Sequence, residues 1–238
     1  MARSFMIAVT GGSGSGKTTL ARALYARLGA ENCQLVTEDN YYFGRAHYGQ
    51  AALAMQHAEL ERTFNFDDPA NKDMANLRRD IDIEALKRGE SVEQPVYEFA
   101  KHDRKVGVTK RVDARAVVII EGIHVLSDPS FAALFDLTVF VDAPADLRLI
   151  RRIRRDEAER GRSAESVIQQ YLRFVRAAQA RFIDPARHVC DIVVSCEAAS
   201  PDADAPPDAD SIDRLIAPVW TQLQKLGVAA QETAQSPA

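Results

Sequence analysis

The 238-residue chain has little cysteine and no long apolar run, and each absence excludes something. Its three cysteines, Cys33, Cys190 and Cys196, are odd in number and lack C-x-x-C spacing. That speaks against a disulfide framework and a zinc cluster and leaves buried or inert thiols. Apolar runs are short, with Ala116–Ile120 among the longest, far from the roughly 20 residues of a membrane-spanning helix. No membrane partner is expected. Met1–Val9 carries one Arg and no extended apolar region ahead of Gly11, unlike a secretory signal or an Arg-rich transit peptide, so a cytoplasmic location is expected. A dominant charge is also lacking. The 30 Lys and Arg stand against 34 Asp and Glu, a net charge of −4, so the molecule as a whole offers no electrostatic footprint for nucleic acid. What remains, 46% hydrophobic and 27% charged, is ordinary globular composition, and the length suits one domain or one plus a small appendage.

Short Val- and Ile-rich runs at Phe5–Val9, Leu35–Thr37, Val117–Ile120, Leu137–Val141 and Ile192–Val194 read as parallel strands buried on both faces. Between them, Lys17–Leu28, Ala145–Glu159 and Ser163–Ala180 carry apolar residues at helical intervals. Such alternation predicts an α/β fold with a central, mostly parallel sheet between helical layers. Residues 45–112 read as an insertion, with candidate helices Gln50–Arg62 and Asp80–Arg88 and a hairpin from Val92–Val96 and Lys105–Val112. From Ala198 to Asp210 the composition turns to Ala, Pro, Asp and Ser, the mark of a flexible acidic linker. Ser211 is then expected to cap a helix that aligns Ile212, Leu215, Ile216, Val219, Leu223 and Leu226 on one face. The expected division is therefore a domain over 1–197, a linker over 198–210, and a C-terminal helix and tail over 211–238.

The decisive segment is Gly11-Gly-Ser-Gly-Ser-Gly-Lys-Thr-Thr19, which contains G-x-x-x-x-G-K-[ST] between a strand-like and a helix-like run. Gly11, Gly12, Ser13, Gly14, Ser15 and Gly16 would close backbone amides around phosphate oxygens without Cβ obstruction, and the following helix adds its partial positive charge. Lys17 would meet the β and γ phosphates and Thr18 would offer its hydroxyl to magnesium. Glu121, closing Val117–Glu121, stands where a carboxylate at a strand end would hold that metal directly or through water. No Asn-Lys-x-Asp guanine signature appears and the single α/β unit lacks the length and second core typical of a motor ATPase, so a small-molecule kinase leads the phosphate-loop classes. The base candidate is Asp39 in Thr37-Glu-Asp-Asn-Tyr-Tyr42, with Glu38 its rival. Arg148–Arg162 holds seven Arg among 15 residues, with a helix-breaking Gly161 near its end. We read 148–163 as a cationic lid over the transferring group.

With these residues in place, the chain resembles the uridine kinases, or uridine-cytidine kinases, of the phosphoribulokinase and uridine kinase group. The likeness spans about Phe5 to Val194. Beyond the phosphate loop it rests on Glu38-Asp-Asn-Tyr-Tyr42, Asn65-Phe-Asp-Asp-Pro69, Pro95–Arg104, Glu121-Gly-Ile123, Arg151–Asp156 with Glu159-Arg-Gly-Arg162, and Phe182–Pro185 leading to Asp191–Val194. The resemblance implies a phosphate-loop kinase fold and transfer of the γ-phosphoryl group of ATP or GTP, with magnesium, to the 5′-hydroxyl of uridine or cytidine. It implies that Asp39 orients and deprotonates that hydroxyl and stands near the metal, and that Asp67 accepts hydrogen bonds from the ribose. Tyr97 and His102 would contact the pyrimidine, Tyr42 would also bind the substrate, and Arg152, Arg162 and Gln170 would line the nucleoside site. Arg155 and Arg160 would face the donor phosphates, and Thr19 would complete the loop.

The chain departs from the group's pattern in four places. Asp68 stands for a usual His, Glu98 for Asp, Ala177 for Pro, and Ser195-Cys-Glu-Ala198 for Arg-Gly-Gly. The first two bear on the preferred nucleoside. The last, with the acidic linker, bears on C-terminal packing, so a homo-oligomer such as the group's tetramer stays open. Two other readings stand beside the main one: a kinase of a phosphorylated sugar such as ribulose 5-phosphate, and a nucleotide-binding regulatory module without catalysis. His47, His57, His124 and His188 read as surface or packing residues.

Overall fold

The computed structural model describes residues 3–81, 85–197 and 208–229. Five strands, β1 (Phe5–Thr10), β2 (Cys33–Thr37), β5 (Val117–Glu121), β6 (Leu137–Asp142) and β7 (Ile192–Ser195), form one sheet in the order β2-β5-β1-β6-β7. Every pairing in it is parallel. β3 (Val92–Glu98) and β4 (Asp103–Val112) form a separate antiparallel hairpin. Because side chains alternate along a strand, Met6 and Ala8 of β1 enter one core with Val36, Val118, Ile120 and Phe140. Ile7 and Val9 enter the other with Ile119, Val139 and Val141. Burial on both faces is what near-continuous apolar strands require.

Helices cover both faces. α1 (Lys17–Leu28) and α9 (Ala209–Lys225) close one core with Leu20, Leu24, Leu215, Val219 and Leu223. The insertion carries α2 (Gln50–Ala54), α3 (His57–Thr63) and α4 (Met74–Ile81), then the hairpin; α5 (Pro129–Ala132) follows β5. α6 (Ala145–Arg160) follows β6, and α7 (Ala164–Gln170) runs into the π-helical turns Tyr171–Val175 and Gln179–Ile183 around α8 (Arg176–Ala178). The insertion has its own small core of Tyr42, Ala52, Leu60, Phe66 and Tyr97.

Several expectations are corrected. Gln50–Arg62 is two helices, because Met55 and Gln56 are extended. The helix expected over Asp80–Arg88 instead ends α4 at Ile81, with a turn over 85–89, while 82–84 lie outside the described residues. The cap of α9 is Asp208 rather than Ser211: its carboxylate accepts from the Ser211 amide at 2.6 Å, satisfying an amide the helix leaves unpaired. Leu226 is 47% exposed and so leaves the apolar face. Most of the expected acidic linker, 198–207, and the chain after 229 lie outside the described residues. Cys33 is buried, and burial pushes its thiol up to about 12 and that of Cys190 up to about 11. No helix among the described residues is long and apolar enough to cross a membrane.

Candidate active site

The parallel register brings the chemistry to one edge. β1 and β5 align Val9 with Glu121, and β2 and β5 align Thr37 with Glu121. The loop after β1, the turn Glu38–Tyr41 after β2 and the end of β5 therefore emerge together at the carboxyl ends of the strands, where open parallel sheets gather ligands.

In the phosphate loop, Gly11, Gly14 and Gly16 have φ of 145°, 80° and 98°, conformations L-residues avoid. Space is equally tight, since a Cβ on Gly14 would strike the Arg148 carbonyl and one on Gly16 would lie 2.7 Å from Cys196 Sγ. Gly12 is hemmed in by Arg148 and Gln179. The loop is thus a bare-backbone cradle, and within it the buried Ser15 hydroxyl has no hydrogen-bond partner among the described residues. Lys17 is 7% exposed. Burial holds its ammonium below the ordinary lysine value, against the opposing pull of Glu121 and Asp39.

Thr18 Oγ1 donates to Glu121 Oε2 at 3.0 Å, and burial raises the Glu121 carboxyl despite Lys17 nearby. Among the described residues no group of three His, Cys, Asp or Glu gathers as a metal cage. A hydroxyl and a carboxylate side by side, with Asp39 also near Lys17, still fit magnesium. That ion prefers oxygen donors and completes its shell with phosphate and water.

Asp39 lines the cleft and Glu38 does not. Glu38 is wholly buried, accepts from the His124 amide at 2.9 Å and pairs with Lys72 at 2.9 Å. Lys72, missed by the sequence reading, also reaches Asp39 Oδ1 at 2.9 Å and sits 4.3 Å from the Tyr42 ring centroid. Burial alone would raise the Asp39 carboxyl, but Lys72 and Lys17 hold it well below the usual carboxylate range. Lys72 in turn is held charged against its own burial by Asp39 and Glu38.

Across the cleft, Asp67 accepts from Arg152 at 3.1 and 3.4 Å, and Gln170 Oε1 accepts from Arg152 at 2.8 Å and Arg162 at 2.9 Å. His124 is fully buried, and its Nε2 lies 2.9 Å from the Asp67 carbonyl oxygen, so this packing histidine fixes the Asp67 backbone. On the arginine-rich helix expected to act as a lid, Asp156 pairs with Arg155 at 2.8 Å, Arg160 at 3.5 Å and Arg162 at 3.1 Å. Arg155 also reaches Ser13 Oγ at 3.4 Å, and Arg160 lies over the Phe99 ring. The helix closes on Gly161 with φ 64°, as the break there predicts.

The opposite wall is aromatic. Tyr42 packs on Tyr97 with centroids 5.3 Å apart, and Phe66 stacks on His102 at 4.7 Å and 14°. Tyr97 therefore serves the insertion core and the cleft together. His102 sits at the hairpin tip and, among the described residues, is the one non-glycine with positive φ, 48°. The cleft encloses about 550 Å³ including its mouth. It brings together Ser13, Lys17, Asp39, Tyr42, Asp67, Tyr97, His102, Arg152, Arg155, Arg160, Arg162 and Gln170. The remaining loop residues and Glu121 lie beside it. Glu61, Phe66 and Phe99 also line it and were not foreseen; an aromatic flanking Asp67 was the one available signal. The departures at Asp68 and Glu98 do not line the cleft. Asp68 accepts from the Ala70 amide to cap a turn, and Glu98 pairs with Lys101 at 3.0 Å. The segment Ser195–Glu197 packs back on the loop, with the Cys196 carbonyl accepting from Arg151 at 3.1 Å.

The model of the phosphoribulokinase and uridine kinase family matches residues 6–200. A uridine kinase from Alkaliphilus metalliredigens is 40% identical over 194 residues, covering 82% of this chain and 88% of its own. A uridine kinase from Chloroflexus aggregans is 37% identical over 221 residues, covering 93% and 97%. Among solved structures, phosphoribulokinase from Rhodobacter spheroides is similar with a TM-score of 0.58 and 25% identity, over 88% of this chain and 77% of that one.

Proposed function

The chain belongs to the phosphoribulokinase and uridine kinase family, and from that premise we propose that it transfers the γ-phosphoryl group of ATP or GTP to the 5′-hydroxyl of uridine or cytidine. The enzyme is a phosphotransferase, and its products are then UMP or CMP and the donor diphosphate. The observation that carries the acceptor assignment is the cleft itself. Lys17 and Asp39 stand at one end, and an aromatic wall with the Asp67–Arg152 pair stands at the other. A flat base matches the aromatic wall, a ribose diol matches a carboxylate, and guanidinium forks match phosphate.

In this reading the loop amides and Lys17 hold the β and γ phosphates. Thr18 and Glu121, with Asp39 nearby, would hold magnesium, which supplies charge to the transferring group. Asp39, kept ionised by Lys72 and Lys17, aligns the 5′-hydroxyl and takes its proton as the new O–P bond forms and the bond to the β-phosphate oxygen breaks. Arg155 and Arg160 cover the charge that spreads over the transferring oxygens, and the lid excludes water. The three free thiols suit a reducing, cytoplasmic setting.

A phosphorylated sugar is the second reading, favoured by the likeness to phosphoribulokinase, but it would leave the aromatic wall without a partner. Incubation with ATP and magnesium and a panel of uridine, cytidine, adenosine and ribulose 5-phosphate separates the two. UMP or CMP with stoichiometric ADP is expected, and failure to turn over either pyrimidine nucleoside overturns the proposal.

A further inference from the structure

Resting on the reading of the phosphate loop as the donor site, we propose that Gln179 is a positioning residue for the phosphate donor: its side-chain carbonyl accepts from Arg148 when phosphate fills the loop, and that bond holds the loop and the start of α6 together around the donor. Gln179 opens the π-helical turn Gln179–Ile183 and is 6% exposed. Turns of this kind depart from the α-helical ladder and are frequent at functional sites. Gln179 Nε2 donates to Asp184 Oδ1 at 2.5 Å. A carboxylate only accepts hydrogen bonds, so the amide nitrogen is the end at Asp184 and the oxygen is the end at the phosphate loop. There Oε1 is buried and has no hydrogen-bond partner among the described residues.

This orphaned oxygen and a guanidinium converge on one point. A Cβ built on Gly12 would collide with both Gln179 Oε1 and Arg148 Nη1, so an acceptor and a donor face each other across the bare backbone of the loop. Arg148 is otherwise anchored by its Nε, which donates to the Ala143 carbonyl at 3.1 Å, and by its own carbonyl, which a Cβ on Gly14 would strike. Through this one residue α6 touches the loop at Gly12 and at Gly14. A buried carbonyl without a partner is costly, whereas a bond to a charged donor is among the stronger ones. Any arrangement that brings Nη1 onto Oε1 is favoured by that difference. Donor phosphate supplies the bias, because its oxygens draw the guanidinium toward the loop. With five N–H donors, one guanidinium can serve the Ala143 carbonyl, Gln179 and a phosphate oxygen together. A ligand that favours the paired arrangement gains its energy as affinity.

The test compares wild type with Gln179→Met, which keeps the length of the side chain and removes the acceptor. Calorimetry with ATP, and with GTP in parallel, should show affinity roughly tenfold weaker, the order of one hydrogen bond to a charged group. Urea unfolding without nucleotide should show a midpoint equal to or above that of wild type, since a buried unpaired carbonyl has gone and the exposed Asp184 is left to water. A packing role would not produce this split, because lost packing lowers stability and affinity together. Arg148→Met should weaken nucleotide binding by at least as much, and the double variant should bind no more weakly than Arg148→Met alone, the mark of one shared contact. A Gln179→Met protein that is less stable without nucleotide or fails to fold, one that binds nucleotide as well as wild type, or losses that add in the double variant would each overturn the inference and leave the phosphotransferase reading intact. A wild type that binds neither ATP nor GTP overturns the donor-site reading as well.

Discussion

Lys72 is the residue on which the chemistry of the site turns most sharply, because its single charge is shared between two carboxylates 2.9 Å away in a buried setting. Asp39 is held below its ordinary value by that charge and by Lys17, against burial. Removing Lys72 leaves burial with less to oppose it, so the Asp39 carboxyl must rise. We expect Lys72→Met to move the acid limb of the kcat/KM profile upward by at least about one pH unit, the usual effect of one close opposite charge. An unmoved limb would break the link between Lys72 and the base. Asp39→Asn is expected to lower kcat by roughly 10² to 10⁴, the worth of a positioned base, while nucleotide affinity measured by calorimetry stays near wild type. Undiminished turnover would place the base elsewhere. Neither Lys72 nor Glu61 was legible in the sequence. Lys72 meets Asp39 across 33 positions and Glu61 meets His102 across 41, and no local spacing rule spans such separations. Asp39 was legible because it follows a strand directly, and the sheet delivers strand ends to one place.

At the scale of elements, two glycines separate conformational strain from crowding. Gly161 ends α6 at φ 64°, with open space where a Cβ would go. Gly122 follows β5, and a Cβ there would strike the Glu38 carboxylate, itself held by Lys72 and the His124 amide. Gly161→Ala should therefore cost only the left-handed conformation, about 1–2 kcal/mol. Gly122→Ala should cost as much or more by overpacking, about 1–3 kcal/mol, and should also impair turnover by displacing the turn that carries Asp39. Urea unfolding and steady-state kinetics on both variants check the pair. Equal activity loss in the two would show that turnover is no more sensitive to the carboxylate cluster than to the end of α6. The helix break at Gly161 was readable because a glycine after a run of charged helix formers is a local signal. The break of the first insertion helix at Met55 and Gln56 was not, since both residues tolerate a helix and only the packing of Ala52 and Leu60 into the small core explains the bend.

Across the whole molecule, α9 is set against α1 and β7 and closes one face of the sheet with Leu215, Ile216, Val219 and Leu223. None of these touches the cleft. Leu223→Ala should therefore lower stability by about 2–5 kcal/mol through lost burial and a residual cavity, with kcat per folded molecule unchanged. Thermal unfolding and active-site titration measure the two separately, and a fall in kcat would tie the helix to catalysis. The amphipathic pattern foretold that this helix must dock, though it could not say where. Arg151, reaching both the Gly14 and Cys196 carbonyls, shows how the last strand is tied to the phosphate loop by a contact between distant parts of the chain.

The strands, the phosphate loop and the class of reaction follow from the sequence because each is encoded within a dozen or so neighbours, where short apolar runs and glycine placement act directly on the backbone. The sharing of one buried cation by Glu38 and Asp39, the clasp of Asp156 on the lid arginines and the Glu61–His102 contact exist only once the sheet and insertion are assembled. Their energies depend on burial and on distances of about three ångströms between residues far apart in the chain.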